Sequence, residues 1–417
     1  MLTTLKNAWK IAELRKKIVF TLLMFVVFRM AAHIPVPGIS KDAIGELFGS
    51  DLWTLMDTFS GGSLKYFTVC AMGIMPYINA SIIMNLLTIA IPYFENLARE
   101  GQEGRKKMAQ YTRYGAIGLA FLQSIGMTFY INSALENPGI FSYLVVALTL
   151  TAGTCFLMWL GELITEHGIG NGISLIIFIG ILSGMPSTIR TIVTSVQGGQ
   201  TNIITVILFV ILAVLIIAGV VFIQEAQRRI PVQYAKRMVG RRMYGGQGSH
   251  IPIKVNQTGV IPIIFAMSLL MLPAVLAGFF PNNGFASFIA GMFTQGSWFH
   301  MFMYVLLIIF FTYFYTAVTF NCREVAENLQ KNGGFIPGLR PGKPTSEYLD
   351  GVLTRITLAG AIFLAAIAVL PFLASKLSGL NIYFGGTSLL IVVGVALDTM
   401  KQLDNQIMER QYSGFMK

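Results

Sequence analysis

The stretch "GLRPGKPT", 338–345, holds the residue types that bind phosphate, two glycines beside a lysine. A nucleotide loop needs four residues between its glycines and Ser or Thr directly after the lysine, so that amides and a hydroxyl reach the phosphates and their magnesium. Here three residues intervene and Pro344 follows Lys343. "HGIGNGIS", 167–174, resembles a dinucleotide fingerprint on its surface. It lies between two apolar runs rather than after a strand, and it lacks the third glycine at the right spacing. Neither H-E-x-x-H nor G-x-S-x-G occurs. His33, His167, His250 and His300 sit in four different loops or loop edges. Cys70, Cys155 and Cys322 form no pair motif, so neither a disulfide framework nor a zinc site is indicated. The expectation is a protein that is not an enzyme, without cofactor or metal.

The elements that carry these residues are membrane spans. Of 417 residues, 54% are hydrophobic and 12% charged, roughly half the charge of a soluble domain. A span needs about 20 mostly apolar residues. Ten runs qualify, at about 18–36, 67–91, 115–131, 141–160, 172–189, 202–223, 258–277, 301–320, 356–373 and 384–400. Continuous runs of this kind exclude a β-barrel, whose segments are short and alternating. Ten spans put both termini on one side, with loops 2/3, 4/5, 6/7 and 8/9. That side carries 25 of the 30 Lys and Arg residues, so it is cytoplasmic by the positive-inside rule. Span 1 has the flanking cations of a signal anchor but no small-residue cleavage site before "PVPG", 35–38, and reads as retained.

Three connections are longer than topology requires. The external stretch 37–66 contains "DLWTLMDTFSGGSLKYF", an apolar patch broken at Ser60-Gly61-Gly62. Its length suits a re-entrant half-helix folded back from outside, with an ordinary surface loop as the alternative. Loops 224–256 and 321–355 mix cations with "IPVQYA" and "FIPGLRPG". Setting topology needs only the cations. The apolar and turn residues suggest docking surfaces for a large anionic or mixed partner, ribosomal RNA among them. A weak internal repeat links "GIMPYI", 73–78, to "GVIPII", 259–264, each in the second span of a five-span half. Five spans per half orient the halves oppositely, as in an inverted repeat. A secondary transporter of a small solute therefore stays open as an alternative. Against it, the spans hold few ionisable groups: Arg29, Asp398 and, at a span end, Lys401.

"GIMPYINASI", "EGRKKMAQYTRYG", "FLMWLGELITEHGIGNGISLIIF", "GVIPIIFA", "AENLQKNGGFIPGLRPGKPT" and "FGGTSLLIVVGVALD" together resemble the SecY family, the channel-forming subunits of the bacterial Sec protein translocase. The resemblance runs from about Leu14 to Lys417. It departs at Cys322, where many relatives have proline, and in a compact external segment 278–300. It implies an all-α polytopic protein, ten transmembrane helices in two pseudo-symmetric inverted halves, 1–195 and 196–417, with a hinge near the 5/6 loop. It implies a pore ring of Ile74, Ile78, Ile173, Ile177, Ile264 and Ile391. Ile74/Ile78 and Ile173/Ile177 are four apart, so each pair shares a helix face. The re-entrant segment would be a plug at about 51–67, with Trp53, Leu55, Met56, Phe59, Gly61 and Gly62. Spans 2 and 7 would form a lateral gate backed by spans 3 and 8, with Asn79, Asn85 and Gln123 in it. Arg241, Arg242 and Arg340 would dock the ribosome or the SecA motor ATPase. SecE-type and SecG-type small subunits would accompany the chain. Signal sequences and nascent polypeptides would pass through it, or leave sideways into the lipid bilayer of the cell (inner) membrane.

Overall fold

The computed structural model describes residues 2–40, 57, 60–131, 134–135, 138–199, 202–234, 237–239, 242–244, 249–278, 284–293, 297–378 and 386–415. Two helices, α1 (Leu2–Lys10) and α2 (Ala12–Ala31), open the chain. Then come α3 (Met75–Ala90), α4 (Pro92–Arg99), α5 (Gln102–Tyr130), α6 (Ile140–His167), α7 (Gly172–Gln197) and α8 (Ile203–Glu225). A strand region follows: β1 (Gln227–Tyr234), β2 (Arg237–Val239), β3 (Arg242–Tyr244) and β4 (Ser249–Lys254). Helices α9 (Ile261–Gly278), α10 (Gly284–Phe293), α11 (Trp298–Thr319) and α12 (Cys322–Lys331) lead to β5 (Gly334–Phe335), α13 (Lys343–Ser378) and α14 (Gly386–Phe415).

Among the described residues, ten helices of 16 to 36 residues overlap the ten predicted spans, although the second begins only at Met75 rather than at 67. They are α2, α3, α5, α6, α7, α8, α9, α11, α13 and α14. Five stretches are long and apolar enough to cross a membrane by themselves: 140–167, 172–197, 203–225, 298–331 and 343–370. The pair α3 and α4, bent by 104°, makes a sixth if counted as one span. The remaining four are shorter or carry charged residues within the same helix.

Their packing repeats. In the first five, α3 packs on α5, α5 on α6, α6 on α7, and α2 on both α6 and α7. Five spans later, α9 packs on α11, α11 on α13, α13 on α14, and α8 on both α13 and α14. The two sets meet chiefly through α3 on α9 and α7 on α14. Each of those two contacts joins a span to its own counterpart, as a pseudo-two-fold axis requires.

The sequence repeat has a physical meaning at the starts of α3 and α9. Gly73 and Gly259 both have positive φ, +59° and +64°. Each glycine turns the chain, and a proline then occupies the first helical turn, Pro76 and Pro262, where a missing N–H costs nothing. The first helical bonds also correspond: Ile78 N–H donates to Ile74 O, and Ile264 N–H to Val260 O. Span 2 is thus helical only from Met75. Residues 61–74 ahead of it run as successive turns packed inside the protein, the setting in which irregular backbone is tolerated at membrane depth.

The two long connections, 224–256 and 321–355, fold as one unit. β1 pairs antiparallel with β4, Ile230 opposite Ile251, and its end pairs with β5, Gln233 opposite Phe335. Ile230 and Val232 point to one face of β1 and join Ile253, Leu329, Ile336 and Leu349 in a separate small core. The sequence suggested docking loops; the strand pairing between them is a finding of the structure.

Candidate functional site

Four of the isoleucines expected at the constriction line one small space: Ile74 and Ile78 of span 2, Ile177 of α7 and Ile264 of α9. Met75, Met267, Ser268, Ser60 and Gly73 complete much of the wall. The space measures about 10 Å³, room for about one water and far too little for an extended chain. Ile391 of α14 is fully buried in the same apolar cluster but does not touch the space. Ile173 lies one helical turn away, on the first turn of α7, beside Gly161 of α6. Val260 stands directly before α9 as Ile74 stands before α3, and it is buried in the cluster too. Matching the two repeats residue for residue would have included it.

Local chemistry fixes these positions. Asn171 caps α7, its side-chain oxygen accepting from Ile173 N–H at 3.1 Å and Ser174 N–H at 3.3 Å. Gly172 N–H donates to Thr165 Oγ1 at 2.9 Å, which closes the turn from α6. The "HGIGNGIS" stretch is therefore a tight interhelical turn that sets the rotation of α7 and aims Ile177 inward.

Beside the ring lies the root of the expected plug. Trp53, Leu55, Met56 and Phe59 are outside the described residues. Asp57 Oδ1 accepts from Leu64 N–H at 3.0 Å and Lys65 N–H at 2.8 Å. Asp57 O accepts from Gly62 N–H and from Ser60 Oγ. Gly61 and Gly62 both have positive φ, +71° and +85°, as this doubled-back turn requires. Ser60 thereby reaches the wall of the ring.

The helices expected to border the lateral gate carry polar groups. Asn85 Nδ2 of α3 donates to the Tyr315 hydroxyl of α11 at 2.8 Å. The Tyr315 ring stands edge-on to Phe265 of α9, centroids 5.1 Å apart. Asn79 is buried and Gln123 half-buried. Tyr315 and Phe265 were not singled out by sequence reasoning; an aromatic in an aromatic-rich span carries no signal of its own.

Of the expected docking residues, Arg241 lies outside the described residues and Arg242 stands in β3. Arg340 is exposed between two turns, and its carbonyl accepts from Thr345 Oγ1 at 2.8 Å. Among the described residues no group of three or more His, Cys, Asp or Glu side chains is placed to hold a metal ion.

The SecY family model matches residues 68–400. The chain belongs to the SecY family. The protein translocase subunit SecY of Halalkalibacterium halodurans is 48% identical over the full length of both chains. Two solved structures share the fold. A SecY protein whose plug domain is described as stabilising the closed translocation channel superposes with a TM-score of 0.67 and 21% identity, covering 94% of this chain and 92% of that one. Sec61 from a canine ribosome–channel complex gives a TM-score of 0.66 at 19% identity, with the same coverage of both chains. The SecY family supplies channel subunits of protein translocases, and this chain has the family's helical membrane fold.

Proposed function

We propose that this chain is the central subunit of a protein-conducting channel in a bacterial cell (inner) membrane, with both termini cytoplasmic. Unfolded secretory polypeptides cross through the space between its halves, 1–195 and 196–417. Signal sequences and transmembrane segments leave laterally between α3 and α9. The observation that carries this reading is the apolar ring around a space of about 10 Å³, with the plug root at its wall. An apolar constriction excludes water and ions by dewetting and offers no hydrogen bond to retain a passing chain. The chain performs no catalysis; the driving force comes from a SecA-type motor or from elongation on a ribosome, docked at the joint β-sheet unit and Arg340. SecE-type and SecG-type subunits complete the complex.

Cysteines at 78 and 264 test the pore. Each should crosslink to a secretory chain arrested in transit. Absence of crosslinks at both, with crosslinks intact at the docking unit, would overturn the pore assignment.

A further inference from the structure

Between Lys17 and Lys41, Arg29 is the only charged residue, and it lies in the last turn of α2. A guanidinium inside a span is costly, so the groups it meets indicate why it is there. Its Nη1 donates to Gly61 O at 2.7 Å and to Ser183 Oγ at 2.9 Å. Ser183 Oγ donates in turn to Gly180 O of α7 at 2.7 Å. Three segments far apart in sequence thus converge on one nitrogen: span 1, the plug root and span 5. The contact is close. A Cβ on Gly61 would stand 3.1 Å from Gly180 Cα and 3.3 Å from the Arg29 nitrogen. Gly61 directly follows Ser60, which lines the ring.

We propose that Arg29, with Ser183 beside it, is the latch that holds the plug root in the resting channel. This rests on the channel reading above. The latch belongs wholly to the first five spans. Parting of α3 from α9 therefore leaves it intact, and plug release is a separate step that requires the Arg29–Gly61 bond to break. Arg29 is a positioning residue: it acts through Gly61 and Ser60.

The test uses the channel purified with its small membrane subunits and reconstituted in planar bilayers. Arg29→Lys, Arg29→Met, Ser183→Ala, the Arg29→Met/Ser183→Ala double variant and a 54–64 deletion are compared for resting ion conductance. The same Arg29 and Ser183 variants, each combined with Ser60→Cys, are compared for labelling of the thiol at position 60 by an impermeant maleimide. Arg29→Met should raise resting conductance several-fold towards the deletion and speed labelling at position 60. Arg29→Lys should fall between, and Ser183→Ala should add nothing on top of Arg29→Met. A variant that merely folds less well would lower yield without selectively exposing position 60. If Arg29→Met does not accumulate, Arg29→Lys and Ser183→Ala give the same comparison. Wild-type conductance and labelling in these variants, beside a leaking deletion, would overturn the latch. A deletion that does not leak would overturn the plug reading beneath it.

Discussion

The Asn85–Tyr315 hydrogen bond is a direct polar clasp between α3 and α11, and its worth is bounded by what such bonds contribute between membrane helices. Measured interhelical bonds average about 0.6 kcal/mol and reach about 1–2 kcal/mol. That is too little to lock a seam and enough to bias it. Tyr315→Phe keeps the ring edge-on to Phe265 while removing the acceptor from Asn85. Lateral release of a marginally apolar segment should rise by about fivefold, the ratio that corresponds to about 1 kcal/mol. Asn85→Leu should do the same, and the double variant should not exceed either alone. A topology reporter fused behind the marginal segment measures the ratio. Additive effects would show that the two residues act separately.

Element by element, the sequence disclosed the spans and concealed what lies between them. Apolar runs of span length are visible because lipid demands them. The ring isoleucines are different. Isoleucine is ordinary in any span, so Ile74 and Ile177 stand out only through family resemblance, while their rotation is set by Gly73, Pro76 and the Asn171 cap. The strands were illegible for another reason. β1 pairs with β4 in its own loop but with β5 about a hundred residues on, across four intervening helices, and no local pattern encodes that partner. The alternation Ile230, Val232 was the available signal, hidden among two arginines and a proline. Because both loops share one small core, its apolar residues and its exposed arginine should separate in mutagenesis. Leu349 is fully buried there. Leu349→Ala should cost about 2–5 kcal/mol locally and loosen the sheet, seen as faster protease cleavage within 227–254. Arg340→Glu should leave that cleavage unchanged and lower motor-dependent export severalfold. Normal export by Arg340→Glu would remove this surface from the docking site.

At the scale of the whole molecule, the repeated packing predicts how the channel opens. Each set of five spans is continuous within itself, whereas the sets touch chiefly at α3 on α9 and α7 on α14. Opening to lipid at the proposed gate would break the first contact and keep the second, so the halves should move as two bodies about the α7–α14 side. A signal helix is about 10–12 Å across with its side chains, and the seam must widen by about that much to admit it. Ile83 on α3 and Phe310 on α11 are exposed and lie on opposite sides of the seam. Ile83 and Leu148 on α6 are exposed within one half. Spin labels on the first pair should separate by about 10 Å when a signal-bearing chain is engaged, while the second pair holds its distance. The two results discriminate between mechanisms. Widening of both pairs would mean that the first half itself deforms. No widening in a channel already crosslinked to its substrate at residue 78 would mean that the chain crosses without the seam parting, and that lateral release is a separate event.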